Sequence, residues 1–422
     1  MEYIKKSLKT DLEEDSNSLK EAVSDIIRNV RQKGDQALID YNTRFESNNR
    51  KNLKVTPEEI KAAYQNVDNK LIEDMNIAAR NIKRFAEKQK GTIRDLEETE
   101  ITDGVFLSHR VIPIESCCCY VPGGLHPLFS TALMLAIPAK VAGVNRISAC
   151  APAMRGTDKI HPATLIALDI SGVDEIYVVG GAHAIAAFAY GTQQIKPVNI
   201  VVGPGNQYVT EAKRQCYGQV GIDFLAGPSE VLVIADDSAD SEVIACDLLA
   251  QSEHDPKASG ILITTSKALA YQVMKSVEKQ LNTLETADVA RRSWERYGTI
   301  IIANSLEEAC IISNQYAPEH LEIQTKDNGR LKGLLTNYGS LFEGEYAAEV
   351  FGDYVAGTNH TLPTLGVSRY SGGLYVGTFL KTCTSQRLTK KGIRNIGEVA
   401  ERMARAEGLY AHGNAAAVRN KF

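Results

Sequence analysis

The pattern of apolar and polar positions changes texture near residue 110. Before it the chain reads as helical and charged. Asp15–Phe45 carries apolar residues at helical spacing with Gly34 as a break. "TPEEIKAAYQNV" (Thr56–Val67) opens with a cap, a first-turn proline and a glutamate three residues after the cap, the order of a capping box. Lys70–Lys90 is a further amphipathic helix. Beyond residue 110, short apolar β-rich runs recur: "RISACAPA", "EIYVVGG", "NIVVGPGN", "VLVIADD", "GILITTS" and "TIIIAN". Each ends in turn residues and most lead into a helical pattern. Such alternation predicts an α/β fold with parallel sheets covered by helices. The stretch 375–422 closes the chain with two amphipathic helices and a basic tip.

Composition narrows the class. The 422 residues are 44% hydrophobic and 23% charged, which is globular and long enough for two cores. A formal net charge of -5 offers no basic footprint for nucleic acid. The apolar runs are broken well short of the ~20 residues a membrane span needs. "MEYIKKSLKTDLEED" has no apolar segment of the secretory kind. Eight cysteines include the run Cys117-Cys118-Cys119, which suits neither a disulfide framework nor zinc-ribbon spacing. Reduced, mostly buried thiols in a cytoplasmic protein are expected.

Three turns carry glycine: "VVGGAHAIAAFAYG" (Val178–Gly191), "VVGPGNQYVTEAKRQ" (Val201–Gln215) and "CCCYVPGGLHPLFSTALML" (Cys117–Leu135). None is GxGxxG with an acidic residue ~20 positions on. Glycine after a strand lets the backbone turn tightly and present N–H groups at a helix start. That suits a phosphate or a nucleotide edge, and equally a tight turn with no ligand. Tyr120 beside such a turn offers a stacking surface.

Among the eight histidines, four keep polar company. His254 ends "AQSEHDP", three residues after Gln251, so the two share a helical face and can meet one cation. Taken alone, the pair is better explained by a satisfied polar helix end. Glu319-His320, in "APEHLE", place a carboxylate and an imidazole after a proline turn, a pairing suited to activating water and accepting a proton. The bland alternative is a capping glutamate beside a core histidine. His360 follows "GDYVAGTN", which holds Asp353, and His412 follows Glu407 in "EGLYAH".

"CYVPGG", "GPGN" with "VTEAKRQ", "AGPSEVLVIAD", "AQSEH", "YAPEHLEI", "GDYVAGTNHTLPT" and "AEGLYAH" follow one another over about 300 residues. In these motifs the chain resembles the histidinol dehydrogenase family. The resemblance implies a zinc-dependent, NAD-linked oxidation of a primary alcohol to a carboxylate through a bound aldehyde. It places one Zn2+ per subunit on Gln251, His254, Asp353 and His412. The base and the water activator fall on His320 and Glu319. Ser229 and Glu407 match substrate contacts, joined by Gln251, His254, His320, Asp353 and His412. Tyr120 and Asn206 match dinucleotide contacts, and His183 stands where the family has glutamine. The implied architecture is two incomplete Rossmann-like domains, one inserted in the other. Residues 20–119 and 230–374 form the first and 120–229 the second. The extensions 1–19 and 375–422, helical in expectation, embrace the partner of a homodimer, so that Glu407 and His412 complete the neighbouring site.

Other stretches fit a sister branch that oxidises 2,3-dihydroxypropane-1-sulfonate: "NYGSLF", "SRYSGGLYVGTFLKT" and "RFAEKQKGTIRDLEE". His126, in "GGLHPLFST", is an added donor for a sulfonate. Ser229 and Glu407 instead match the histidinol site, where a carboxylate suits an ammonium or imidazole. A metal-dependent hydrolase is the rival from another class; it would form no NADH.

Overall fold

The computed structural model describes residues 1–8, 16–123 and 127–421. His126 and Gly124 lie outside them. The strands are β1 (Glu2–Lys5), β2 (Leu96–Thr102), β3 (Val105–Pro113), β4 (Ser116–Tyr120), β5 (Arg146–Ala151), β6 (Glu175–Val178) and β7 (Ile200–Val202). They continue as β8 (Gly221–Ile222), β9 (Glu230–Ala235), β10 (Ser259–Thr264), β11 (Thr299–Ile302), β12 (His320–Gln324), β13 (Ser340–Glu343) and β14 (Leu380–Leu388). All six apolar runs singled out in the sequence are strands.

Two parallel sheets share one winding. The first runs β6-β5-β4-β7-β8. The second runs β11-β10-β9-β12-β13, with β1 added antiparallel at the β11 edge. In each, chain order reverses beside the strand that begins the unit, at β4/β7 and at β9/β12. Helices cover both faces because both faces are apolar. Phe129–Ala142 and Gly181–Tyr190 are buried almost all round. Their sequences accordingly lack a polar stripe.

The packing departs from the expected grouping of residues 20–119 with 230–374. Val23, Ile26, Val30, Leu38 and Leu53 share a core with Tyr120, Ile185 and Val201. Met75, Ala78 and Ile82 share the other face's core with Cys117 and Leu133. The helices Ser16–Lys33, Asp35–Glu46, Pro57–Ala63 and Asn69–Thr92 therefore clothe the first sheet. Its own short helices leave apolar strand faces to be covered. The capping box is present, with Thr56 and Glu59 exchanging side-chain and backbone bonds. The amino terminus is a strand where a helical extension was expected: β1 satisfies the open edge of β11.

A third sheet, β14-β3-β2, is antiparallel and exposed along β2 and β14. It leads into helices Lys390–Ala406 and Tyr410–Arg419, which pack on each other. Val376 and Phe379 remain in the core of the first sheet, so this arm leaves the body at Leu380. Among the described residues no helix is long and apolar enough to cross a membrane.

Candidate active site

The carboxyl ends of β4 and β7 carry Tyr120 and the Gly203 turn. The amino ends of β9 and β12 carry Glu230 and His320. Between the two sheets runs the segment 349–379. Asn359 Nδ2 donates to Met134 O at 2.7 Å, and Asn81 Nδ2 donates to Val355 O at 2.8 Å. Gly227 N donates to Thr364 Oγ1 at 2.6 Å.

Helix Ser241–Ser252 runs antiparallel to the strands beside it, so its last turn arrives at the amino ends of β9 and β12. Gln251 is buried there and His254 lies just beyond, at the surface. Helix Glu349–Tyr354 presents two carboxylates four residues apart, hence on one face. The ligand atoms of His254, Glu349 and Asp353 all lie within 4.8 Å of one another. Gln251, with its amide oriented to suit its neighbours, donates to Glu349 Oε1 at 2.8 Å and Oε2 at 2.9 Å. The same nitrogen reaches His320 Nδ1 at 3.2 Å. An imidazole and two carboxylates converging in this way fit a borderline divalent cation such as zinc, which takes nitrogen and oxygen ligands.

His320 is fully enclosed. Its Nδ1 is 3.7 Å from Glu319 Oε2 and 3.6 Å from Glu349 Oε1. Its Nε2 is 3.6 Å from Asp353 Oδ1, too far for a hydrogen bond, and among the described residues has no bonded partner. Burial alone disfavours an imidazolium. Glu349, Glu319 and Asp353 outweigh it and hold the ring's pKa well above the ordinary range. Cationic charge taken up by Glu349 and Asp353 would remove that support and leave the imidazole neutral. Burial pushes Glu319 up to about 8, against the pull of His320 and of Glu230 N, which donates to Glu319 Oε2 at 3.0 Å. Glu230 rises to about 7 through burial, opposed by the N–H of Leu365. Ala317 and Leu365 are held at φ 52° and 55°, a left-handed backbone rare for such residues. Leu365 N thereby holds Glu230 Oε1 at 2.8 Å, and Ala317 turns the chain into Pro318 and Glu319.

His360 joins the site from the first sheet's side, its Nε2 3.5 Å from Ser130 Oγ and 3.4 Å from Thr131 Oγ1. Ser229, half-buried, immediately precedes β9. Glu349 and Glu230 were not among the residues selected from sequence, and His360 was singled out there without a role. Glu349 left one usable signal, its four-residue spacing from Asp353.

Glu407 and His412 lie exposed on the arm, and the cation cluster within this chain does not include them. On the dinucleotide side, Tyr120 Oη accepts a hydrogen bond from Gly181 N at 3.1 Å, while burial pushes its pKa up. Asn206 is exposed, with Oδ1 capping helix Gln207–Cys216 through Tyr208 N and Val209 N. His183 is only 1% exposed. Its Nε2 is 2.9 Å from Asn42 Oδ1, and Nδ1 lies buried beneath Gly181 with no hydrogen-bond partner among the described residues. Desolvation drops its pKa to about 3, so it is a neutral ring.

The two similarly wound parallel sheets, with an acid–imidazole cluster between them, define an α/β protein with a candidate active site. A family model described as histidinol dehydrogenase matches residues 9–420. A protein named histidinol dehydrogenase homolog from Shouchella clausii is 42% identical over 100% of this chain and 99% of its own. Histidinol dehydrogenase of Methanocaldococcus jannaschii is 46% identical over 93% of this chain and 90% of its own. The crystal structure of histidinol dehydrogenase from Elizabethkingia anophelis superposes with a TM-score of 0.92 at 40% identity. That match covers 98% of this chain and 94% of the other. The chain belongs to the histidinol dehydrogenase family and is thus an NAD-dependent oxidoreductase.

Proposed function

We propose that the protein oxidises L-histidinol to L-histidine in two successive steps at one site. The reading rests on the buried Glu319–His320 pair beside the cluster of His254, Glu349 and Asp353. It draws support from relatives that carry the name histidinol dehydrogenase. The excess of carboxylates around the pocket favours a substrate bearing an ammonium or imidazole over a sulfonate.

When bound, NAD+ supplies the hydride acceptor and a zinc ion the orientation of the alcohol. The rest falls to side chains. Gln251, His254 and Asp353 hold the metal, together with His412 of a second copy of the chain. Glu349 faces the same atoms. His320 accepts the hydroxyl proton at Nε2, which is free in the tautomer whose Nδ1–H donates to Glu230 O at 3.3 Å. Glu319, whose pKa burial raises to about 8, then passes protons between water and the bound aldehyde as the hydrate forms. The hydrate again presents a hydroxyl to His320, and the same base serves twice. Ser229 and Glu407 hold the amino-alcohol end. Tyr120, Asn206 and the turn above His183 receive the dinucleotide.

The test is NADH formed per molecule of L-histidinol, followed at 340 nm, in enzyme supplied with Zn2+. Two NADH per alcohol are expected. Turnover of dihydroxypropanesulfonate alone would reassign the substrate, and no NADH from either would leave hydrolysis as the better reading.

A further inference from the structure

We propose that the buried ion pair Lys213–Asp223 positions the turn Gly203–Asn206 and thereby sets the affinity for NAD+. The proposal rests on the reading above that this turn receives the dinucleotide.

The side chains of Lys213 and Asp223 are 3% and 1% exposed, and they contact each other directly. Burying two charges is weak evidence for a gain in stability, because desolvation offsets most of their attraction. What else they touch gives the pair its use. Asp223 Oδ2 accepts from Gly203 N at 2.7 Å, and Lys213 Nζ donates to Gly203 O at 3.0 Å. One ion pair thus takes both backbone polar groups of a single residue. The sheet cannot do this, since β7 ends at Val202.

Gly203 has reason to be clamped. Its φ is 122°, and a Cβ there would lie 2.2 Å from Tyr120 O. The turn therefore runs against the end of β4, where the first sheet reverses its chain order. Lys213 fastens it to helix Gln207–Cys216, whose cap is Asn206. Asp223, whose Oδ1 also accepts from Phe224 N at 2.8 Å, fastens it to the segment leading to Ser229. Thr210 Oγ1 adds a bond to Ala226 O at 3.1 Å. Lys213 and Asp223 are positioning residues: they act through Gly203.

The decisive variant is the double Lys213→Met/Asp223→Leu. It is electroneutral and fills the same space with apolar atoms, yet it cannot bond to Gly203. Exchanges of this kind commonly leave a fold as stable or more so. In full-length enzyme supplied with Zn2+, the KM and calorimetric Kd for NAD+ should rise about tenfold or more, as for other displaced binding groups. The kcat at saturating NAD+, the KM for the alcohol and the zinc content should stay near wild type. A folded double variant with wild-type NAD+ affinity would overturn the proposal. So would failure of that variant to fold, since the pair would then hold the core and not the turn. Asn206→Ala separates the two readings. If it too leaves NAD+ affinity unchanged, the cofactor binds elsewhere and the earlier assignment is at fault. If it weakens NAD+ while the double variant does not, only the clamp fails.

Discussion

Glu349 and Asp353 stand one helical turn apart and bracket a single imidazole, Glu349 Oε1 at 3.6 Å from His320 Nδ1 and Asp353 Oδ1 at 3.6 Å from Nε2. The carboxylates that could hold a cation with His254 are thus the same ones that raise the pKa of His320. On the proposed reading, metal binding and base strength would be coupled by this geometry.

His254→Ala and Asp353→Ala should each lose the metal together with turnover. Elemental analysis of dialysed protein, run beside NADH formation, checks both. Full activity in metal-free His254→Ala would discard the ligand assignment. Glu349→Gln should weaken metal retention by about 10–100-fold, the range for groups that orient ligands.

His320→Asn should keep the metal and the fold. Its kcat should fall by about 10²–10⁴-fold, the usual contribution of a positioned base. Steady-state kinetics on protein of verified zinc content tests it. A loss confined to KM would instead mark His320 as a binding group.

Mixing inactive His320→Asn with inactive His412→Ala, after dissociation and reassociation, should restore partial activity. Hybrid pairs would hold one site with both wild-type residues. Mixed dimers demonstrated by mass spectrometry, with no return of activity, would refute a site shared between copies.

His183 supplies a pH prediction. Its folded pKa of about 3 lies below the unfolded value near 6.5. The unfolded chain therefore binds the proton first as pH falls below 6.5, and stability declines from there towards pH 3. The slope is about 1.4 kcal/mol per pH unit. His183→Gln, which cannot titrate, should lose stability less steeply on that limb and match wild type more closely above pH 7. Urea midpoints at pH 5 and pH 7.5 decide it; parallel declines would show that His183 is already charged or exposed.

The sequence made the six β-rich runs plain because each is short, branched and bounded by turn residues. β2 escaped notice: "LEETEIT" is exposed along its whole length and shows no buried face. β4 hid inside a cysteine run read as part of a turn. The placement of residues 20–119 was not legible, since an amphipathic helix states that it has an apolar face and not which sheet receives it. In the candidate site, His254, Asp353, Glu319 and His320 were selected through their motifs, and the fold brings them together. Glu230 and Glu349 were missed because a buried carboxylate looks like any surface acid until its neighbours are known.

The pocket draws one wall from the finishing ends of strands and the other from the starting ends of strands in a separate sheet. The two walls are thus edited by different stretches of chain, and drift in one leaves the other's architecture untouched. The 349–379 bridge contacts both. Gly357 on that bridge, at φ 113°, has Asn81 O 2.8 Å from where a Cβ would sit. The alignment of the two half-sites thus hangs on a few residues that touch neither reactant.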